Sequence, residues 1–452
     1  MTAAVRHRLL QVFALIAAFA ALAAQAAAQG PLRVDVTEGH LDPMPIAITD
    51  FTGAGGREAE IGADIARVVT GNLGNTGLFD PVDPEAFIEE IENIDLRPRF
   101  GDWRVIDASA LLVGRITIEN DRMTVAFRLW DTATEQQLLG LQFASTPDNW
   151  RRIAHKVSDA VYERLTGEEG YFDTRIVYVS ERSGANGAPI RQLAVMDQDG
   201  ANPSLLTDRS YMALLPNYSP SAQQITYVSF RDGQATSYLY DLQTGRQEAL
   251  FDSGPSLAEG GQSLSASFHP NGRELVVAAA RRGGHDVFRF DLRMRTLRQL
   301  TNHPADDIEP SYAPDGEQIV FSSSRSGQSQ LYVMNADGTD PVRITFGEGR
   351  YTAPVWSPRG DLVAFVKQHQ GRFMLGVVDA DGSGEERILY EGYKVDTPTW
   401  SPNGRIILFT RGDLVNGREE PSIWSVDLAG FNLRRLPTDG AASDPAWSPL
   451  ID

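Results

Sequence analysis

A five-residue phrase with a central aromatic and a final proline returns six times between residues 216 and 449. The copies are Pro216-Asn217-Tyr218-Ser219-Pro220, Ala266-Ser267-Phe268-His269-Pro270, Pro310-Ser311-Tyr312-Ala313-Pro314, Pro354-Val355-Trp356-Ser357-Pro358, Pro398-Thr399-Trp400-Ser401-Pro402 and Pro445-Ala446-Trp447-Ser448-Pro449. Their last prolines are 50, 44, 44, 44 and 47 residues apart. A period of 40 to 50 residues with an aromatic in every unit marks a propeller or a related array, because a unit of that size cannot bury its apolar face without neighbours. The aromatic reads as a wedge between units.

Most copies lead into an apolar strand, such as Ile319-Val320-Phe321-Ser322 or Ile406-Ile407-Leu408-Phe409, then a third and a short basic-apolar fourth strand. Four strands per unit is the content of a propeller blade. Asn271-Gly272, Asp315-Gly316, Arg359-Gly360 and Asn403-Gly404 supply the positive φ of a tight hairpin between the first two strands. The sixth copy has no strands after it, whereas three strands without a phrase occur near 176–179, 193–196 and 204–206. Pairing the C-terminal strand with these three closes a six-bladed ring and removes its open edges.

The remainder divides into a leader, an arm and an α/β domain. Arg6 and Arg8 precede the apolar run 9–24, and Ala26-Ala27-Ala28 fits a cleavage site, so residues 1–28 read as a secretory signal peptide. No later segment has membrane-spanning length. Residues 29–44 show little periodicity beyond Leu32-Arg33-Val34-Asp35-Val36 and read as a flexible arm able to add a strand to a partner. Within 45–170, helical spacing marks 58–73 and 149–165, with Asp148 as cap, and strands are expected at 46–48, 111–118, 123–130 and 137–143. The propeller takes 171–452.

Composition narrows the function. The formal charge of −19 becomes −21 once Arg6 and Arg8 leave with the leader, which disfavours nucleic acid and suits a basic or polar protein partner. There is no cysteine, hence neither thiol catalysis nor Cys-ligated zinc. The chain lacks G-x-S-x-G, a P-loop, G-x-G-x-x-G and H-E-x-x-H. His269, His285, His303 and His369 occupy unrelated repeat positions, so a shared metal centre is weakly supported. Asp197-Gln198-Asp199-Gly200 and Asp379-Ala380-Asp381-Gly382 resemble calcium loops faintly but lack the downstream Glu, and they fall where hairpins turn.

The innermost strand opens each blade, so residues just before the phrase ring the mouth of the central channel. They include Asp306, Asp307, Ile308, Glu309, Tyr351, Thr352, Ala353, Asp396, Thr397, Ser443 and Asp444. Loops joining second and third strands share that face and begin near Arg182, Arg231, Arg281, Arg325, Lys367 and Arg411. These cations and carboxylates can pair with one another, can form a polar docking funnel, or both. A calcium ion among Asp306, Asp307, Asp396 and Asp444 is chemically admissible, although no ligand spacing specifies it, and no cofactor is expected.

The order of leader, α/β domain and Trp-Ser-Pro repeats, with Leu112-Val113-Gly114-Arg115, Tyr162-Glu163-Arg164-Leu165-Thr166-Gly167 and Arg175-Ile176-Val177-Tyr178-Val179, resembles the TolB family of the Gram-negative Tol–Pal system. The resemblance spans about 32–449. It implies a non-enzymatic, monomeric periplasmic adaptor that supports outer-membrane integrity and invagination at division. Pal, the peptidoglycan-associated lipoprotein, would dock at the mouth residues together with Ser263 and Ser265; TolA would take the arm, Leu32 to Val36. The second copy departs from the pattern, having no leading proline and His269 in place of serine, which puts Ser263 and Ser265 in question. Two other classes stay open. A glycan- or small-molecule-binding propeller would be stabilised by such a ligand, and a polysaccharide-cleaving enzyme would need a metal or carboxylate pair in the channel.

Overall fold

The computed structural model describes Leu32, Val34 and residues 42–451, apart from 185–186, 222, 231–234, 252–262 and 282–283; the side chains of Ser263, Leu264 and Arg281 also lie outside the description. The leader therefore falls outside the described residues. The chain divides into two compact units between Glu169 and Gly170.

The first unit is an α/β sheet domain. Strands β1 (Met44–Ile48), β2 (Phe79–Pro81), β3 (Ala110–Glu119), β4 (Arg122–Asp131) and β5 (Gln137–Ser145) lie in the order β2-β1-β3-β4-β5. β1 runs parallel to β2 and β3, and the β3–β4–β5 meander is antiparallel. Helix α1 (Arg57–Asn75) buries Ile61, Ile65, Val68 and Val69, the stripe its 3.6-residue period dictates. Gly62 lies so close to the chain that an added Cβ would stand 2.0 Å from the Phe51 carbonyl oxygen. Helix α2 (Phe100–Val105), absent from the sequence reading, sets Trp103 on the sheet face carrying Ala47, Leu111 and Val113. Helix α3 (Trp150–Thr166) ends at Gly167 in the left-handed region, whose N–H donates to the Glu163 carbonyl at 2.8 Å. Asp148 does not cap α3. A 3₁₀ turn, Pro147–Asn149, precedes the helix and moves Asp148 outward to pair with Arg57 at 2.8 Å.

The second unit is a six-bladed β-propeller of four-stranded antiparallel sheets. Blade 1 carries the closure: the C-terminal strand Ala441–Trp447 pairs antiparallel with Arg175–Ser183, which continues into Pro189–Asp197 and Ser204–Leu205. Arg175 and Ser448 reinforce the join, their backbone bonding at 2.8 Å and the Arg175 N–H reaching Ser448 Oγ at 2.9 Å. Blades 2 to 6 begin with Ala213–Tyr218, Ser263–Phe268, Asp307–Tyr312, Arg350–Trp356 and Lys394–Trp400, and these innermost strands neighbour one another around the ring.

The repeated aromatics are wedges between blades. Tyr218 packs with Val177 and Val179 of blade 1, Phe268 with Leu239 of blade 2, and Tyr312 with Val276 and Val287 of blade 3. Trp356 joins Val320 and Val333 of blade 4, and Trp400 joins Ala364 and Val377 of blade 5. The Trp400 indole also donates to the Val355 carbonyl at 2.9 Å, linking two blades by a directional bond.

Candidate functional site at the propeller channel

The proline that opens the phrase builds the channel wall. Proline has no N–H for a strand ladder and is tolerated at edges and bulges. The innermost strands meet both conditions: each is the edge of its sheet, and each carries a register slip at the proline, between Ile308 and Ser311, Thr352 and Val355, Asp396 and Thr399, and Ser443 and Ala446. The residue before proline is kept out of the right-handed helical region. Here it enters the left-handed one: Leu215, Glu309, Ala353, Thr397 and Asp444 have φ between 47° and 53°. Five non-glycine residues in that conformation at one repeat position is a costly arrangement, about 1–2 kcal/mol each. It turns every one of these residues into a cavity of about 400 Å³ on the ring axis, together with Pro216, Pro310, Pro354, Pro398 and Pro445. Blade 3 has no leading proline; its slip falls between Ser263 and Ser265, and Ser265 reaches the same cavity with its Oγ buried and unbonded.

Hydrogen bonds tie these residues across blades. The Glu309 carboxylate accepts the Ala353 N–H of the next blade at 2.6 Å and the Ser322 hydroxyl at 3.1 Å. The Asp444 carboxylate accepts the Leu215 N–H at 3.1 Å, and its own N–H donates to Thr410 Oγ1 at 2.9 Å. Thr410 in turn shares a 2.7 Å bond with the Thr397 hydroxyl. One arc thus runs from blade 6 through blade 1 to blade 2, and another from blade 4 to blade 5. Loss of hydration pushes the carboxyls of Glu309 and Asp396 up from the ordinary range and that of Asp444 up to about 6; for Asp444, repulsion from Asp396 and Glu181 adds to the effect.

The other mouth residues divide by burial. Asp307 is fully buried and receives Arg325 on both oxygens, at 2.8 and 3.0 Å, with the Ser323 hydroxyl at 2.6 Å. The Arg325 guanidinium lies over the rings of Phe321 and Tyr332. Tyr351 is buried and donates its hydroxyl to Glu386, which also pairs with Lys367. Ser443 is buried and bonds Glu181 at 2.6 Å, while Thr352 reaches only the Val366 carbonyl at 3.5 Å. Ile308 lines the cavity, and exposed Asp306 accepts the His285 N–H at 2.9 Å. Arg182 pairs with Asp439, and Arg411 with Asp413. The described cations therefore hold local partners, and within the two rings only Arg325 and Asp307 meet. Arg231 and the side chains of Ser263 and Arg281 lie outside the described residues, as do Arg33, Asp35 and Val36 of the arm. Val34 is buried, with its N–H on the Leu165 carbonyl at 2.8 Å; Leu32 is half-buried.

The sequence reading missed Leu215 and the apolar rim. Leu215 could have been found by aligning the residue before each proline. The rim is held at the mouth face: Phe346 and Tyr393, 70% and 55% exposed, precede innermost strands, Phe230 follows a second strand, and Leu414 and Val415 end one. No apolar periodicity marks such residues in connections and at strand ends.

Residues 162–451 match the model of the TolB beta propeller domain, and residues 32–138 match that of the TolB amino-terminal domain. The chain belongs to the TolB family. A solved TolB from Acinetobacter baumannii shares 26% identity over 93% of this chain and 100% of that one, with a TM-score of 0.78. Chains from a nidogen/laminin complex, 10% identical over 61% of this chain and 98% of theirs, and an oligogalacturonate lyase in complex with manganese, 14% identical over 58% and 84%, overlap at TM-scores of 0.47 and 0.40, a level that says nothing about chemistry. Among the described residues of this TolB-family chain, no helix is long and apolar enough to cross a membrane.

Proposed function

We propose that this chain is a non-enzymatic, monomeric adaptor of the Tol–Pal system in the periplasm, exported by its leader. Pal docks on the propeller mouth, TolA engages the segment around Leu32 to Val36, and the assembly supports outer-membrane integrity and invagination during division. The observation that carries this reading is the composition of the mouth. A cavity is walled by five prolines and three partly buried carboxylates, and connections on the same face of the ring present exposed Phe346 and Tyr393. Solvent-exposed aromatics around a desolvated polar centre are the anchors from which protein interfaces draw most of their affinity. Glu309 and Asp444 serve as bonds between blades, which favours a part in holding the ring.

Asp307 is a poor residue for testing the site, because its buried ion pair makes any change there a change in the fold. The test is a calorimetric titration of the mature chain with the soluble domain of Pal from the same cell, repeated with Phe346→Ser/Tyr393→Ser. One-to-one saturable binding, weakened by about tenfold or more in the double variant, is the expected result. Absence of binding to the unaltered chain, with and without calcium, would overturn the adaptor reading. Equal affinity for both chains would move the site off the mouth.

A further inference from the structure

A second groove lies between blades 4 and 5. Its lining comes from strand residues and from the connections of the first to second and third to fourth strands, which open on the face away from the mouth. It holds about 730 Å³, within the range of specific binding clefts. Val342, 60% exposed on the two-residue outer strand Val342–Arg343, forms the apolar floor with the buried Ile344 and Trp356. Asp340, Asp361, Asp379 and Asp381 stand around it, and no Lys or Arg lines it. Asp340 accepts from the Asn335 amide at 3.2 Å and Asp381 from the Ser383 N–H at 2.9 Å, neutral donors that leave the charge in place. No three of these acids bring their oxygens within 4.8 Å of one another, so they do not form a cage for one ion. The arrangement suits positive charges spread along a chain and an apolar group between them.

We infer that this groove docks a short segment of a partner protein in which one large aliphatic side chain is flanked by Lys or Arg. The aliphatic group covers Val342 and removes its exposed surface from water, while the flanking cations reach the acidic walls. A small polycation would leave the floor uncovered, and a nucleic acid would be repelled. The groove and the channel open on opposite faces of one ring, so a chain that binds at the mouth can hold this second segment at the same time.

The test uses the mature chain and a fluorescein-labelled peptide with a central leucine and two arginines on each side, followed by anisotropy at about 50 and 150 mM salt. Saturable binding is expected, weakened by about tenfold or more in Asp361→Asn/Asp379→Asn/Asp381→Asn and in Val342→Lys. Serine in place of the central leucine should weaken it by about fivefold or more. The exposed position of Val342 keeps the test alive if the triple variant fails to fold. No binding at the lower salt, equal binding by the variants, or equal binding of the serine peptide would each overturn the proposal, the last reducing it to attraction between an acidic protein and any polycation. The outcome is independent of Pal binding at the mouth, so either reading can fail alone.

Discussion

Arg325 and Asp307 allow a sharp test of how the channel mouth is held. Asp307 has no exposed surface and Arg325 little, the guanidinium reaches both carboxylate oxygens, and it lies over the rings of Phe321 and Tyr332. Removing the cation alone in Arg325→Ala strands a carboxylate away from water with only the Ser323 hydroxyl to bond it. Breaking a buried pair from one side costs about 3–5 kcal/mol, and the lost stacking adds to that. For a unit of this size such a loss lowers the melting temperature by roughly 10 °C. Urea unfolding followed by tryptophan fluorescence reads it directly, since Trp356 and Trp400 wedge the adjacent blades. The companion Asp307→Leu/Arg325→Met removes both charges and keeps apolar volume, so it should lie within about 1–2 kcal/mol of the unaltered chain. A loss below about 1 kcal/mol in Arg325→Ala would refute the reasoning, because it would mean that water reaches Asp307 and the pair behaves as a surface one.

Asp444 should make stability depend on pH. Its carboxyl titrates near 6 in the fold against 3.8 ordinarily, so the folded state binds the proton more tightly and stability rises as pH falls from 7 through 6. The full shift would be worth about 3 kcal/mol, and partial access of water to the channel reduces this to about half. Asp444→Asn should make the profile between pH 7 and 5 shallower in urea unfolding, with Glu309 and Asp396, raised in the same direction, supplying the rest; an unchanged profile would exclude Asp444 as a source. At Ala353, where φ is +49°, a β-branched valine should cost about 1–2 kcal/mol, while Ala353→Gly should be neutral or slightly stabilising by thermal denaturation. Deleting residues 441–452 removes the strand that pairs with Arg175–Ser183 and should abolish the cooperative unfolding transition of the propeller as seen by calorimetry.

The blades were legible in the chain because their determinants are local and repeated. Proline, an aromatic and a glycine turn recur at fixed spacing, and each acts within its own hairpin or on the next blade. The missing partners of the sixth phrase also exposed the closure, since a strand without a sheet demands one. Helices α1 and α3 were readable from their apolar period, whereas α2 and β2 were too short to show one. The 3₁₀ turn Pro147–Asn149 that displaces Asp148 is three residues long and leaves no such pattern.

The site followed a different rule. Sequence by itself marked the stretch before each phrase, because the repeat fixes its distance, but it passed over Leu215 and included Asp307, Tyr351 and Ser443, which are buried and do not line the cavity. Only the tertiary structure decided what each residue does at the channel mouth. Asp307 and Glu309 are two residues apart, yet one is sealed against Arg325 and the other turns into the channel to hold the next blade. The difference arises from a bulge at Pro310 and from neighbours contributed by other strands. Linear spacing records neither burial nor partners, and for a carboxylate those two quantities separate a structural ion pair from a group available to the channel.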